Sequence, residues 1–178
     1  CPALCDEAQA ARRVGEDYEP TVATKAQRLL DRLYAGAGDL RNVTDEGLQL
    51  LAELYVAEVR LCEMVGNSRP EEGSEHYLAY CIERLTGRSY IHGQLVGLCI
   101  DLVGRYQGQD VAPVREFFNE LDLDCSLPAV GLSHRELRNA LLHMPRFTAE
   151  ESHLLPGVFH FKEGISKGEA DALLSDLL

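Results

Sequence analysis

Apolar residues recur at helical spacing along almost the whole chain, and convincing alternating strands are absent. One amphipathic helix is predicted over residues 21–35, because its apolar side chains share a single face. Thr44 is placed to cap a second, longer helix that runs to Val65, and Gly66 marks its end. The pattern predicts an all-α bundle of seven or eight helices joined by short links.

The interior of this bundle is predicted from the same periodicity. Helices are also expected over 74–85, 91–106 and 111–121, and the middle one is apolar nearly all round, which places it at the centre. Gly93 and Gly97 lie four residues apart on it and would let a neighbouring backbone approach closely. The long second helix is expected to bury one face, formed by Leu48, Leu51, Leu54, Tyr55, Val59 and Cys62.

Three copies of the Ser/Thr-x-x-Glu capping box occur in the last third of the chain, beginning at Ser133, Thr148 and Ser166. In such a box, the first side chain and the glutamate satisfy backbone N–H groups at the start of a helix. Each copy therefore predicts a helix start, and the middle helix is expected to be short because it meets Pro156.

Charge and composition limit the class of partner. The formal net charge of −12 argues against a nucleic-acid surface or an anionic membrane, since both require clustered Lys and Arg. The six cysteines form no CxxC pair, and Cys62, Cys81 and Cys99 are predicted to be reduced residues of the core. The longest apolar runs fall far short of the roughly 20 residues of a membrane span.

A length of 178 residues fits one domain, which we expect to cover residues 1–178. The first residues lack the basic and apolar regions of a signal peptide, and no initiator Met precedes Cys1. We therefore expect a cytoplasmic fragment or processed domain.

His76 and His92 are sixteen residues apart, and each opens one of two successive predicted helices. Neutral imidazole is a common ligand for Zn, Fe and Ni, so the pair is a candidate metal site. A simple helical hairpin would separate the two side chains by roughly 15 Å or more. Convergence requires a bend within residues 86–90, and without it both are cap or partly buried histidines. Glu72 and Glu75 are further carboxylate candidates, although Glu75 adjoins His76 and so lies on another helix face.

Both histidines stand in blocks that resemble a known family. The segment from Ser68 to His76 is similar to the Ser-Arg-Pro-x-x-Gly-x-Glu-His signature of the glycerol-1-phosphate dehydrogenases. These enzymes belong to the superfamily of 3-dehydroquinate synthases and iron-containing alcohol dehydrogenases. The His-Gly-x-x-Val-Gly block at His92 is similar to the second histidine motif of that family, with the same spacing. The stretch 146–148, Arg-Phe-Thr, is a weaker match to its Arg-Tyr-Thr segment.

The resemblance implies a fold like the helical C-terminal domain of that superfamily, with an Asp-His-His metal site. The ligands would be His76, His92 and an upstream aspartate, for which Asp6 is the first candidate and Asp17 the second. The metal would be a divalent ion, zinc before iron or nickel. Relatives bind NAD(P) through an N-terminal α/β domain, and this chain contains no strand, glycine-rich turn and helix in succession. NAD(P) would therefore be bound by an N-terminal nucleotide-binding domain that is absent from this chain.

Two further residues acquire roles beside this site. Arg69 would hold the phosphate of a small phosphorylated or polyol substrate, because a guanidinium binds phosphate bidentately. The alternative is a loop arginine paired with Glu71 or Glu72. Tyr80 stands where many relatives have a second histidine, and it would be a catalytic residue that donates a hydrogen bond to substrate, or an aromatic packing residue. The other histidines are predicted to be surface or cap residues: His134, His143, His153 and His160.

The resemblance thus implies the metal-binding C-terminal domain of an NAD(P)-dependent glycerol-1-phosphate dehydrogenase-like oxidoreductase, in which the metal polarises the substrate oxygen for hydride transfer. Two alternatives stay open: a 3-dehydroquinate synthase-like sugar-phosphate cyclase domain, and a non-catalytic helical module that binds a partner. The isolated chain is expected to be inactive and to associate as a homodimer.

Overall fold

Helices account for all the regular secondary structure in the computed structural model, which describes residues 2–15, 18–161, 164–175 and 177. The predicted all-α fold is confirmed. In the described ranges, no helix combines the length and the apolarity needed to cross a membrane. Eight of the helices have nine or more residues: α1 (Pro2–Val14), α2 (Pro20–Ala35), α4 (Asp45–Val65), α5 (Ser74–Thr86), α6 (His92–Tyr106), α7 (Ala112–Glu120), α9 (His134–Glu150) and α11 (Lys167–Ser175). Three short helices complete the described set: α3 (Ala37–Arg41), α8 (Leu127–Val130) and α10 (Val158–Phe161).

The core lies around α5, α6 and α9. Helix α6 is central, as its apolar sequence predicts, and Leu95, Leu98 and Leu102 on it are fully buried. Helix α5 packs against both α6 and α9 and contributes Leu78 and Ile82 to the same core. This packing fixes α5 beside α6, the two helices that carry the candidate histidines.

Gly97 lets α6 approach its neighbours closely. A Cβ atom added at Gly97 would lie 2.5 Å from Cys125 Sγ and 3.4 Å from Phe118 Cζ. The neighbours are therefore side chains rather than the predicted backbone. At Gly93 an added Cβ would meet no heavy atom within 4 Å, so the prediction of a close approach is wrong there.

Alanine at these two glycines is expected to have different effects on stability. Gly97→Ala should lower the free energy of unfolding by about 1–3 kcal/mol, because the new methyl group overpacks the core against Cys125. Gly93→Ala should leave that free energy unchanged or raise it by up to about 1 kcal/mol, because alanine favours a helix and the position is open. Urea denaturation of both variants measures the difference, and equal values would contradict close packing at Gly97.

The long helix α4 begins and ends as predicted. The Thr44 side chain accepts a hydrogen bond from Gly47 N at 3.0 Å, and Gly66 adopts the left-handed conformation with a φ of 73°. The buried face of α4 is formed by Leu54 and Leu61, together with Gly47. This face is narrower than the predicted one.

Four of the six residues predicted to point inward from α4 are exposed instead. The exposed fractions are 51% for Leu48, 46% for Leu51, 66% for Tyr55 and 45% for Val59. Helix α4 packs mainly on α2 and α3, but Leu51 and Tyr55 line an open groove between α2 and α4 and so remain in contact with solvent. The prediction is wrong for these four residues because periodicity identifies an apolar face, whereas neighbouring elements decide how much of it is covered.

Two of the three predicted capping boxes start helices. Ser133 Oγ accepts a hydrogen bond from Glu136 N at 3.2 Å, and the Glu136 carboxylate accepts one from Ser133 N at 2.9 Å. Ser166 and Glu169 exchange the same two hydrogen bonds before α11. The prediction at Thr148 is wrong, because α9 continues through this residue and its hydroxyl donates to the carbonyl oxygen one turn earlier, at 3.1 Å.

An ion pair between the buried carboxylate of Asp101 and the partly exposed side chain of Arg115 links α6 to α7. Asp101 is fully buried, and its two carboxylate oxygens accept hydrogen bonds from Arg115 Nε at 2.5 Å and Arg115 Nη2 at 3.0 Å. Arg105, one turn further along α6, donates to Asp101 Oδ2 at 3.0 Å. A single carboxylate therefore binds two guanidinium groups, one from each helix.

The cysteines among the described residues are all free thiols: Cys5, Cys62, Cys81, Cys99 and Cys125. Cys81 and Cys99 are fully buried in the core, as predicted. Cys62 is also a free thiol, but it is partly exposed and lies at the edge of the candidate site.

Candidate metal centre

His76 and His92 lie side by side. The centroids of the two imidazole rings are 5.5 Å apart, and the ring planes are inclined by 40°. Because His76 lies in the first turn of α5 and His92 begins α6, residues 87–91 must return along α5 towards its start. Ten helical residues rise about 15 Å and five extended residues span about 16 Å, so this link is long enough. The bend that convergence requires is present.

The spacing of the rings fits a shared metal ion. Two imidazoles bound to one tetrahedral zinc ion at about 2.0–2.1 Å per nitrogen have ring centroids about 5 Å apart. The observed 5.5 Å is close to this value. Both helices, however, bring the partial positive charge of their N-termini to this place, which opposes a cation. Nearby negative charge is needed to offset it.

Four carboxylates supply such charge around His76, one by direct contact and three through space: Glu75, Glu58, Glu71 and Glu72. Glu75 Oε1 lies 3.2 Å from His76 Nδ1. Burial lowers the pKa of His76, but the hydrogen bond to Glu75 and the surrounding negative charges outweigh burial and raise this pKa above its ordinary value. The site therefore favours a positive charge, whether a proton or a metal cation.

Glu58 and Cys62 form the part of this environment that α4 contributes. Burial, followed by the charge of Glu71, raises the pKa of Glu58 above its ordinary value. The same two causes, in the same order, raise the pKa of the Cys62 thiol to about 11. Cys62 is therefore protonated at neutral pH, which disfavours it as a thiolate ligand.

Tyr80 lies one turn after His76, with 6.2 Å between the ring centroids. Its hydroxyl donates a hydrogen bond to Glu72 Oε1 at 2.6 Å, and Ser68 Oγ donates to Glu72 Oε2 at 3.1 Å. Burial, and then the hydrogen bond to Glu72, raise the pKa of Tyr80 well above its ordinary value. Tyr80 therefore keeps its proton at neutral pH and directs it to Glu72.

Arg69 is buried, with an exposed fraction of 4%. Its Nη2 atom donates to Pro156 O at 2.8 Å, and its backbone N donates to Asn67 Oδ1 at 2.9 Å. The cavity that Arg69 lines is also lined by Glu7 and Glu19. A substrate phosphate in this cavity would meet negative charge as well as the guanidinium.

Asp6, the first candidate for the upstream ligand, is fully buried in α1. Its Oδ2 atom accepts a hydrogen bond from Ser74 N at 2.6 Å, and Oδ1 accepts hydrogen bonds from Gln107 Nε2 and Val158 N, both at 2.8 Å. Burial raises the pKa of Asp6 to about 6. Both carboxylate oxygens are thus engaged by protein donors at the starts of α5 and α10. Asp17 lies outside the described residues.

Two of the three predicted ligands come together, His76 and His92, whereas Asp6 is held in hydrogen bonds of its own. Across the part of the chain that the structure describes, no group of three or more His, Cys, Asp and Glu side chains is arranged to hold a metal ion. Adjacent positions on a helix predict that Glu75 and His76 point to different faces, yet the two side chains are in contact. The sequence does show that Glu75 is an acidic residue in the first turn of α5. It does not show that the carboxylate of this residue is buried.

No protein-family model matches the chain. The chain is, however, similar to archaeal proteins named glycerol-1-phosphate dehydrogenase (NAD(P)+). It is 27% identical to the protein of Saccharolobus islandicus over 139 residues, which are 78% of this chain and 40% of that relative. It is 21% identical to the protein of Methanosarcina barkeri over 146 residues, which are 82% of this chain and 41% of that relative. It is 24% identical to the protein of Thermoplasma volcanium over 140 residues, which are 78% of this chain and 40% of that relative.

The chain spans about two fifths of the length of these relatives. The similarity extends well beyond the two histidine blocks, because it includes 139 residues or more in each pair. The resemblance that those blocks predict is confirmed: over about four fifths of its length, this chain is similar to the glycerol-1-phosphate dehydrogenases.

Proposed function

We propose that this chain is the helical, metal-binding part of an NAD(P)-dependent oxidoreductase of the glycerol-1-phosphate dehydrogenase type, and that His76 and His92 hold a divalent metal ion in it. The observation that carries the proposal is the approach of the two imidazole rings to 5.5 Å. The names of the relatives support the reaction class and the nicotinamide cofactor.

His76 would bind the metal through Nε2, because Nδ1 contacts Glu75 Oε1. His92 is exposed at the start of α6 and would supply the second nitrogen. When bound, a divalent metal supplies Lewis-acid polarisation of a hydroxyl or carbonyl oxygen. Asp6 would become a third ligand by giving up hydrogen bonds that it now accepts from backbone and side-chain donors.

Tyr80 and Glu72 would line the substrate side of this site. Because Tyr80 holds its proton strongly, its role would be to fix Glu72 with a hydrogen bond rather than to act as an acid. Arg69 would reach a substrate phosphate from the cavity that it lines, and its bond to Pro156 would keep the loop before α5 in place.

The nicotinamide would be held by a part of the protein that this chain does not contain. The relatives are long enough to include such a part, since this chain spans about two fifths of them. Hydride would pass between that nicotinamide and the carbon next to the polarised oxygen of a small phosphorylated or polyol substrate. None of the observed contacts favours the alternative of a sugar-phosphate cyclase.

Zinc binding by the purified chain tests the proposal. His76→Ala and His92→Ala should each weaken zinc binding by about tenfold or more, because each removes one nitrogen ligand. Competition with a chromophoric chelator measures the affinity. His134→Ala is the matched control, since His134 is exposed at the start of α9 and should leave the affinity unchanged. Equal zinc affinity in the wild type and in the variant lacking both His76 and His92 would exclude the site.

A further inference from the structure

Glu75 is a charged residue with an exposed fraction of only 2%, directly before His76. Burial of a carboxylate is costly unless hydrogen bonds or opposite charges compensate for it. The Oε1 atom of Glu75 accepts a hydrogen bond from Gly73 N at 3.0 Å and lies 3.2 Å from His76 Nδ1. The same oxygen therefore meets the start of α5 and the imidazole ring.

The contact with Nδ1 determines which nitrogen of His76 carries the proton. An ionised carboxylate only accepts hydrogen bonds, so the ring nitrogen facing it must be the N–H donor. In a neutral imidazole, a proton on Nδ1 leaves the lone pair on Nε2. Nε2 is then the nitrogen that is ready to bind a cation beside His92.

The second oxygen of Glu75 is directed to the interior. A Cβ atom added at Gly73 would lie 2.6 Å from Ala3 Cα, 2.9 Å from Glu75 Oε2 and 3.0 Å from Asp6 Oδ2, so the glycine leaves room both for the backbone of α1 and for this oxygen. Oε2 is buried and has no hydrogen-bond partner among the described residues. Glu75 is therefore held with one oxygen on the histidine and the other turned inward, a placement that suits support of His76 rather than metal binding by Glu75 itself.

We propose that Glu75 is a positioning residue for the candidate metal centre: it fixes the Nδ1–H tautomer and the ring orientation of His76, so that Nε2 is presented to a divalent metal ion. The inference rests on the proposed function. It also gives a physical reason for the Gly-x-Glu-His order of residues 73–76, in which the glycine leaves room for the backbone of α1 and for the carboxylate, and the carboxylate orients the ligand.

The tautomer of His76 in the metal-free chain tests the inference directly. Long-range proton–nitrogen NMR at alkaline pH, where the imidazole is neutral, should report a protonated Nδ1 and an unprotonated Nε2 in the wild type. Glu75→Met keeps the length of the side chain but removes the acceptor, and it should shift His76 towards the Nε2–H form. Zinc affinity should fall by about tenfold to a hundredfold in this variant. Glu75→Gln retains an acceptor oxygen and should recover part of both properties.

Glu71→Gln is the matched control, because it removes a charge that acts on His76 through space without touching the ring. It should leave the tautomer unchanged. An Nε2–H tautomer in the wild type, or an unaltered tautomer in Glu75→Met, would overturn the inference. If Glu75→Met does not fold, the wild-type spectrum and Glu75→Gln still decide the question. Failure of the wild type to bind zinc would instead count against the proposed function, and the tautomer measurement distinguishes the two outcomes.

Discussion

Replacing Asp101 with alanine is expected to lower the free energy of unfolding by about 3–5 kcal/mol, because its buried carboxylate accepts three charge-assisted hydrogen bonds. Asp101 is fully buried and binds both Arg105 and Arg115. Without the carboxylate, the two guanidinium groups would lose their shared acceptor between α6 and α7. Chemical denaturation followed by circular dichroism measures the loss.

The control for Asp101 is an ion pair at the surface. Asp171 and Arg138 form such a pair, with side-chain exposures of 57% and 33%. Asp171→Ala should cost no more than about 1 kcal/mol, because water and salt screen exposed charges. A similar loss for Asp101→Ala and Asp171→Ala would contradict the burial of the Asp101 carboxylate.

Replacing Asp6 with alanine is the second change with a large expected effect, again a loss of about 3–5 kcal/mol in the free energy of unfolding. The carboxylate accepts hydrogen bonds from Ser74 N, Gln107 Nε2 and Val158 N. Alanine would remove the acceptor that these donors share where α1 meets the starts of α5 and α10, and Val158 N would keep only Ser74 Oγ, 3.1 Å away. Asp6→Asn should cost less than Asp6→Ala, because the amide oxygen still serves as an acceptor.

The pH dependence of these variants follows from the pKa of Asp6. Burial raises this pKa from 3.8 to about 6, so the folded chain binds the proton more tightly than the unfolded chain does. The part of the stability that comes from this tighter proton binding is therefore fully present below about pH 4 and is lost as the pH rises through 6, whereas the ionised carboxylate still accepts its hydrogen bonds. The stability difference between the wild type and Asp6→Asn should change across this interval, by on the order of 2 kcal/mol.

Asp6→Ala also distinguishes a structural residue from a metal ligand. If Asp6 serves mainly to join three elements, the variant loses stability and Asp6→Asn, which stays folded, retains zinc affinity. If Asp6→Ala unfolds as the wild type does in urea, the hydrogen bonds described here cannot be the ones that hold α1 in place.

The helical nature of the chain was predictable because capping and periodicity act over a few residues. Thr44, Ser133 and Ser166 start helices where the sequence places them. Thr148 has the same local pattern but lies inside α9, since burial of apolar side chains through this turn favours continuation. The solvent-exposed side chain of Tyr55 on α4 could not be predicted, because exposure depends on which elements pack nearby.

The candidate site was predictable in its residue types and only partly in its contacts. The blocks around His76 and His92 identify the pair, but their separation depends on the path of residues 87–91, which carries no periodic signal. The contact between Glu75 and His76 arises because the carboxylate folds back to Gly73 at the start of α5. Helix geometry predicts which face a side chain leaves from, but it does not predict that the Glu75 side chain turns back towards the start of the helix.

Because residues 87–91 return along α5, the distance between His76 and His92 depends on two lengths that must match: the length of α5 after His76 and the length of the return segment. A helix advances about 1.5 Å per residue and an extended segment about 3.3 Å, in opposite directions here. One additional turn in α5, about 5.4 Å, would need roughly 1.6 more residues in the return segment to restore the ring-to-ring distance. Insertions that ignore this ratio would separate the imidazoles even if both histidine blocks were left intact.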